Sequence, residues 1–180
     1  MVRGAFMLEF LTEENLEIHR QYIKQEKLKL SIFEKSIECI KNKNIKDIIR
    51  QKIKRKDKLD VLSLLSNIKL HEIFFASFGE NKYQPSAAAS LNFGSEGGFL
   101  NAVYRASMSI NHGFTVVYLK DGKIAVEAME RELFKLFIPS EPILAVDLSE
   151  HSYFLDYGFD KERYLLSALP YLDLSKLNGT

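Results

Sequence analysis

Partway along this chain the spacing of apolar residues changes, and that change restricts the folds open to it. Within residues 13–78, Leu16, Tyr22, Ile23, Leu30, Phe33 and Ile37 recur at helical intervals, and Ile45, Ile48, Ile49 and Ile53 continue the pattern. Thr12, followed by Glu13, Glu14 and Asn15, offers an N-cap and an acidic first turn for the opening helix. Later the pattern shortens. It predicts a helix over residues 99–110, a strand over 114–119, a tight turn at Asp121-Gly122, a returning strand from Ile124, a third strand over 143–146 and a helix over 161–169. Helices first and a small antiparallel sheet later define an α+β class. The expected organisation is an N-terminal antiparallel helical hairpin over residues 1–80, a linker over 81–98 and a C-terminal α/β domain over 99–180. That last part carries a three-stranded antiparallel sheet flanked by helices. The linker assignment rests on small and turn-forming residues, including Pro85, Gly94, Gly97 and Gly98.

Composition removes several classes of protein. With 180 residues and 46% hydrophobic content the chain has ample material for a core. Cys39 is the single cysteine, so no internal disulfide can form, as expected for a reducing compartment. The apolar start Met1-Val2-Arg3-Gly4-Ala5-Phe6-Met7-Leu8 is interrupted at Glu9, too soon for a signal peptide, and no later run approaches a membrane span. The expectation is a cytoplasmic protein with no membrane partner.

The chemistry is concentrated near the third strand, where Asp147 and His151 stand four residues apart at the end of an apolar run. A strand ending at Asp147 and a helical turn carrying His151 would bring both side chains to one side. Asp and His also meet as ordinary hydrogen-bond partners, so the pair alone does not require an ion. Two of the other three histidines, His19 and His71, lie within the helical patterns of the first half. Three imidazoles and one carboxylate suit iron or manganese, and a single anionic ligand leaves the ion positive enough to attract an anion.

Four local matches, in order, resemble the iron/manganese superoxide dismutase family. Leu11-Thr12-Glu13-Glu14-Asn15-Leu16-Glu17-Ile18-His19 resembles its first helix up to the first ligand histidine, and Leu70-His71-Glu72-Ile73-Phe74-Phe75 resembles its second-ligand motif. Phe93-Gly94-Ser95 with Phe99, then Gly113-Phe114, resembles the opening helix and first strand of its C-terminal domain. The most specific match runs from Asp147 to Tyr157 and is similar to the signature D-x-W-E-H-x-Y-Y-x-D-Y. The resemblance implies metal ligation by His19, His71, Asp147 and His151, one iron or manganese ion per subunit and dismutation of superoxide to oxygen and hydrogen peroxide. It also implies a homodimer in which Glu150 reaches the ligand histidine of the other subunit.

Departures from the family pattern accompany the matches. The histidine and tyrosine that the family places four and eight residues after the first ligand are Ile23 and Lys27 here, and the tyrosine that contacts that histidine across the dimer is Phe154. Tyr22, one turn from His19, can approach the metal, although a core or surface tyrosine is the plainer reading. Asn67 stands where iron-type members place a glutamine, and Glu132 falls where manganese-type members do. An ionised Glu only accepts hydrogen bonds where the amide would donate. Tryptophan is absent, and the family's tryptophan positions hold Phe75, Phe114 and Ser149. Tyr22, Asn67 and Glu132 are therefore the candidate catalytic residues, with Phe75 and Phe114 as a smaller aromatic cage.

The alternative is a catalytically weak or inactive protein of this fold, serving as a metal-binding, RNA-interacting or protein-interacting scaffold. Its sequence support is the basic stretch Lys41, Lys43, Lys46, Arg50, Lys52, Lys54, Arg55, Lys56 and Lys58, against only Asp47 and Asp57. The interleaved isoleucines make a solvated helical face the ordinary reading, and no aromatic lies there to stack on a base. His112, beside Asn111 and Gly113, is expected in a turn or pocket, outside the ligand set.

Overall fold

A computed structural model describes residues 8–37, 48, 50–52, 54–80, 82, 85–130 and 142–178. Its first helix, α1 (Glu13–Ser36), starts where the sequence places its cap: the Thr12 side chain accepts from the Asn15 N–H, and Glu13 and Glu14 occupy the first turn. The partner helix α2 (Arg55–Ala76) packs along α1. A small cluster of Ile48, Val61 and Leu62, with Leu30, Phe33 and Ile37 against it, holds the end of the pair distant from the sheet.

The stretch assigned as a linker carries structure of its own. Ser86 caps helix α3 (Ala87–Phe93), and Gly94 at φ 76° ends it in the left-handed conformation. Ser95 then caps α4 (Glu96–Met108), which begins three residues before the expected helix. Gly98 has a steric reason for being glycine, since a Cβ there would stand 2.3 Å from the Phe93 carbonyl oxygen.

Strands β1 (Phe114–Lys120), β2 (Lys123–Met129) and β3 (Leu144–Asp147) form one antiparallel sheet in the order β2-β1-β3. Asp121 and Gly122 both have positive φ, the backbone that a two-residue hairpin turn requires, and Lys120 pairs directly with Lys123. β1 is central and nearly all buried, and its register places Phe114 opposite Asp147. A 3-10 turn (Glu150–Ser152) and the short α5 (Phe154–Tyr157) follow β3. The chain then forms α6 (Lys161–Ala168) and two further 3-10 turns. The α+β class with an N-terminal helical region and a three-stranded antiparallel sheet is thus as expected.

The two halves share one core. Leu16, Leu70, Ile73, Phe74 and Phe78 from the first half pack with Phe99, Val116, Leu144, Leu148, Tyr164 and Leu165 from the second. Each fully buried side chain of this size contributes about 1.5–3 kcal/mol. Polar contacts fix the alignment. The Ala145 N–H of β3 donates to Ser77 Oγ at the end of α2, at 2.8 Å. The Asp156 carboxylate of α5 accepts from the Thr12 N–H, the Thr12 hydroxyl and the Asn15 amide at the start of α1, at 2.7–3.0 Å. The helix carrying His19 is thereby clamped to the segment carrying His151.

Candidate metal centre

Four side chains from four elements meet between the halves. His19 comes from α1, His71 from α2, Asp147 from the last position of β3 and His151 from the 3-10 turn. Their ligand atoms all lie within 4.8 Å of one another. Three Nε2 atoms face one carboxylate oxygen: His19 and His71 stand 3.1 Å from Asp147 Oδ2, and His151 stands 3.3 Å from it. The Nε2 atoms of His71 and His151 are themselves 3.3 Å apart.

Neighbouring groups aim these atoms. Asp147 Oδ1 accepts from the Ser149 N–H at 2.9 Å, and the Asp147 carbonyl accepts from the buried Tyr164 hydroxyl at 3.1 Å, so Oδ2 is the oxygen turned to the imidazoles. His71 Nδ1 lies 2.7 Å from the Asn67 carbonyl oxygen, which can only accept, so the ring proton sits on Nδ1. In the neutral ring Nε2 then points a lone pair at a carboxylate oxygen. Two acceptors facing each other repel unless a cation lies between them. A proton on His71 Nε2 relieves one contact but not the facing His151 nitrogen as well, whereas one metal ion accepts all four donors together. The residues present therefore fit an iron or manganese ion.

The electrostatics of the four side chains follow the same geometry. Burial alone would raise the Asp147 carboxyl, but the imidazoles of His151, His19 and His71 outweigh it and hold Asp147 well below the ordinary carboxylate range. His19 is lowered, because desolvation exceeds what Asp147 returns and the other two imidazoles oppose a further charge. His71 has the same distance to Asp147 yet is raised, since Asp147, the Asn67 carbonyl and Glu26 together overcome its desolvation. The asymmetry agrees with the tautomer: His71 is the ring with a committed Nδ1–H. His19 Nδ1 is a buried atom without a hydrogen-bond partner among the described residues, as is Asn15 Oδ1 one turn earlier.

Leu16 apart, the buried residues of α1 are polar, which is unusual for a helix packed in a protein interior. Asn15, His19 and Glu26 are buried and Tyr22 half-buried, at intervals of three or four residues. Tyr22 stacks on His151, with ring centres 4.4 Å apart at 20°, and lies 5.1 Å from His71. Its hydroxyl accepts from the Asn67 amide at 2.9 Å, and the same amide donates to Glu26 Oε2 at 3.2 Å. Lys29 completes the chain by donating to Glu26 Oε1 at 2.7 Å.

Aromatic side chains close the other sides. Phe114 presents its edge to His71 at 5.1 Å, and Phe75 meets His19 at 5.5 Å. His19, His71 and Asp147 are essentially buried, while the His151 side chain is 22% exposed, so access lies on its side. Glu150 is exposed on the same turn. His112 is exposed in the turn before β1, away from the cluster's four ligand atoms. Glu132 lies outside the described residues, as do Cys39 and part of the basic stretch. Sequence reasoning missed Phe74, whose ring is 4.9 Å from His19, and Glu26. Continuing the i, i+3, i+7 series from His19 through Tyr22 would have reached Glu26; Phe74 carried no signal beyond being apolar.

Residues 82–179 match the family model for the C-terminal domain of iron/manganese superoxide dismutases, more than half of the chain. The chain belongs to the iron/manganese superoxide dismutase family. Within that family, the proteins named superoxide dismutase [Fe] of Salmonella typhimurium (strain LT2) and Salmonella typhi are each 34% identical to it over 92 residues. The alignment covers 51% of this chain and 39% of each relative, so the chain matches well under half the length of these curated dismutases. The family match ends in the sequence beyond His151 and includes Asp147, two of the four convergent residues; His19 and His71 lie before it.

Proposed function

We propose that the chain holds one iron or manganese ion through His19, His71, Asp147 and His151 and dismutes superoxide to oxygen and hydrogen peroxide. The observation that carries this reading is the meeting of three imidazole Nε2 atoms on Asp147 Oδ2. Family membership supports the choice of ion and reaction. A bound ion would supply one-electron exchange between its divalent and trivalent states.

The chain's own residues have separate tasks in this reading. Three neutral imidazoles and one carboxylate leave the centre cationic, which favours an anionic substrate. Phe74, Phe75 and Phe114 keep bulk water from the buried side, and the partly exposed His151 side admits substrate. Because the Tyr22 oxygen accepts from Asn67, its own O–H is directed away from that amide, and we assign it to hold a proton for the reduced substrate. Glu26 fixes the amide that orients Tyr22.

We further propose a cytoplasmic homodimer. Among the described residues no helix is long and apolar enough to cross a membrane. Downstream of the exposed Glu150 in the sequence, Phe154 and Phe159 are 44% and 81% exposed with ring centres 5.0 Å apart, an apolar pair suited to burial against a second copy. The scaffold reading draws on a different observation: Lys27, at the position of the family's tyrosine, is committed to Glu72 at 2.8 Å, and Arg50, Lys52, Lys54, Arg55 and Lys56 are exposed. Metal analysis of the purified chain, followed by a dismutation assay after loading with each metal, separates the two. One ion per chain with accelerated superoxide loss supports the dismutase. A stoichiometric ion without activity transfers the case to the scaffold, and absence of any bound ion overturns both metal-based readings.

A further inference from the structure

The 3-10 turn that delivers His151 also delivers a hydroxyl. Ser152 is fully buried, and its Oγ lies 3.1 Å from His19 Nε2, the same separation that Asp147 Oδ2 keeps from that nitrogen. Of the other buried serines, Ser66 and Ser77 bond to carbonyls of their own helix, Leu62 at 2.6 Å and Ile73 at 2.7 Å, while Ser86 and Ser107 pair with Asn178 and Thr115. Ser152 instead faces His19 Nε2, one of the three ring nitrogens that meet at Asp147 Oδ2.

That contact pairs the hydroxyl with His19 Nε2 whichever of the two donates. Once the nitrogen is engaged by an ion it cannot accept, and a fully buried hydroxyl would lose its partner, which is costly. The separation itself supplies the resolution. Two donors bonded to one ion at about 2.1 Å and near a right angle stand about 3 Å apart. The Oγ and Nε2 atoms have that spacing, as do Nε2 and Oδ2.

We propose that Ser152 Oγ is a fifth protein donor of the centre, a neutral alcohol oxygen directed at the ion beside His19. The proposal rests on the metal-binding reading above. A neutral hydroxyl adds no charge, so the centre stays cationic, and it binds more weakly than the imidazoles or the carboxylate. It would therefore be the most weakly held of the five protein donors.

Cobalt(II) is a suitable probe, since it takes nitrogen, oxygen and sulfur donors and reports them in its absorption spectrum. Wild type, Ser152→Ala and Ser152→Cys are loaded with cobalt and compared. The Ser152→Cys protein is expected to show a near-ultraviolet sulfur-to-cobalt charge-transfer band absent from the other two. Ser152→Ala is expected to bind cobalt about tenfold more weakly in competition with a chelator. A cobalt-loaded Ser152→Cys protein without the band overturns the proposal, as does wild-type affinity in Ser152→Ala. Where the cysteine variant does not load, the alanine affinity decides. Failure of wild type itself to take up cobalt, iron or manganese is a different result and removes the metal-binding reading as a whole.

Discussion

The side-chain amide of Asn67 holds the hydroxyl of Tyr22 at 2.9 Å, joining α2 to α1 beside the tyrosine ring that stacks on His151. The two residues are 45 positions apart in the chain. Their contact fixes a hydroxyl on the ring that stacks against His151. Tyr22→Phe keeps the stacked ring and removes the hydroxyl. Metal content is expected to stay at the wild-type level while the dismutation rate falls about tenfold or more, read by stopped-flow loss of superoxide. An unchanged rate removes Tyr22 from proton delivery.

Asp147→Asn preserves volume and removes the only carboxylate of the cluster. The ligand set then loses its charge, and metal affinity is expected to fall by at least about a hundredfold. Thermal melts give an independent reading. Metal at a thousand times its dissociation constant adds about 4 kcal/mol to the wild type, a rise of roughly 8–16 °C at about 2–4 °C per kcal/mol. At a hundredfold weaker affinity the variant is expected to show about a third of that rise under the same conditions, and less if the loss is larger.

Acidity acts in opposite directions on the free and loaded protein. His71 is raised above its ordinary value, so in the metal-free chain its contribution is complete below about pH 6.5 and is lost as pH rises through its folded value. Asp147 is depressed, so its contribution is present above about pH 3.9 and lost only as pH falls toward its low folded value. Metal requires His71 Nε2 unprotonated, so affinity should rise over the same interval in which metal-free stability declines. His19 is lowered, so its opposing gain in stability with rising pH is confined to the range below about pH 6.5. Urea unfolding in chelator and metal titration, both from pH 7 to pH 8.5, should give curves of opposite slope.

Glu26 is a buried carboxylate tied to Asn67 and Lys29. Glu26→Ala leaves an Asn67 amide hydrogen without its acceptor inside the helix pair, a loss of about 1–3 kcal/mol. Glu26→Gln keeps an oxygen that can accept and should recover most of that loss. The urea midpoints of the two variants provide the check, and equal midpoints would mean that the amide finds another acceptor.

Much of this architecture was legible along the chain because it depends on neighbours in sequence. Thr12 caps α1, Asp121-Gly122 turns the hairpin, and β3 ends at Asp147 with a helical turn bearing His151 behind it. The segment over residues 81–98 was harder to read. Its alanines and glycines looked like a connection, yet Ser86 and Ser95 cap two helices there, because a capping hydroxyl and a left-handed Gly94 suffice to start and stop a short helix.

Apart from the helix Ala87–Phe93, the order of elements could be read along the chain, as could the choice of three imidazoles and one carboxylate as the candidate centre and the local pairing of Asp147 with His151. Only the tertiary structure decided which way α1 is rotated against α2. That rotation turns Asn15, His19, Tyr22 and Glu26 inward together, sets Phe74 under His19 and brings Ser152 against its nitrogen. The physical reason is that spacing within a helix identifies residues sharing a face, whereas the packing of a continuous core selects the face that is buried. Here the Asp156 clamp at Thr12 and Asn15, and the core shared by both halves, make that selection.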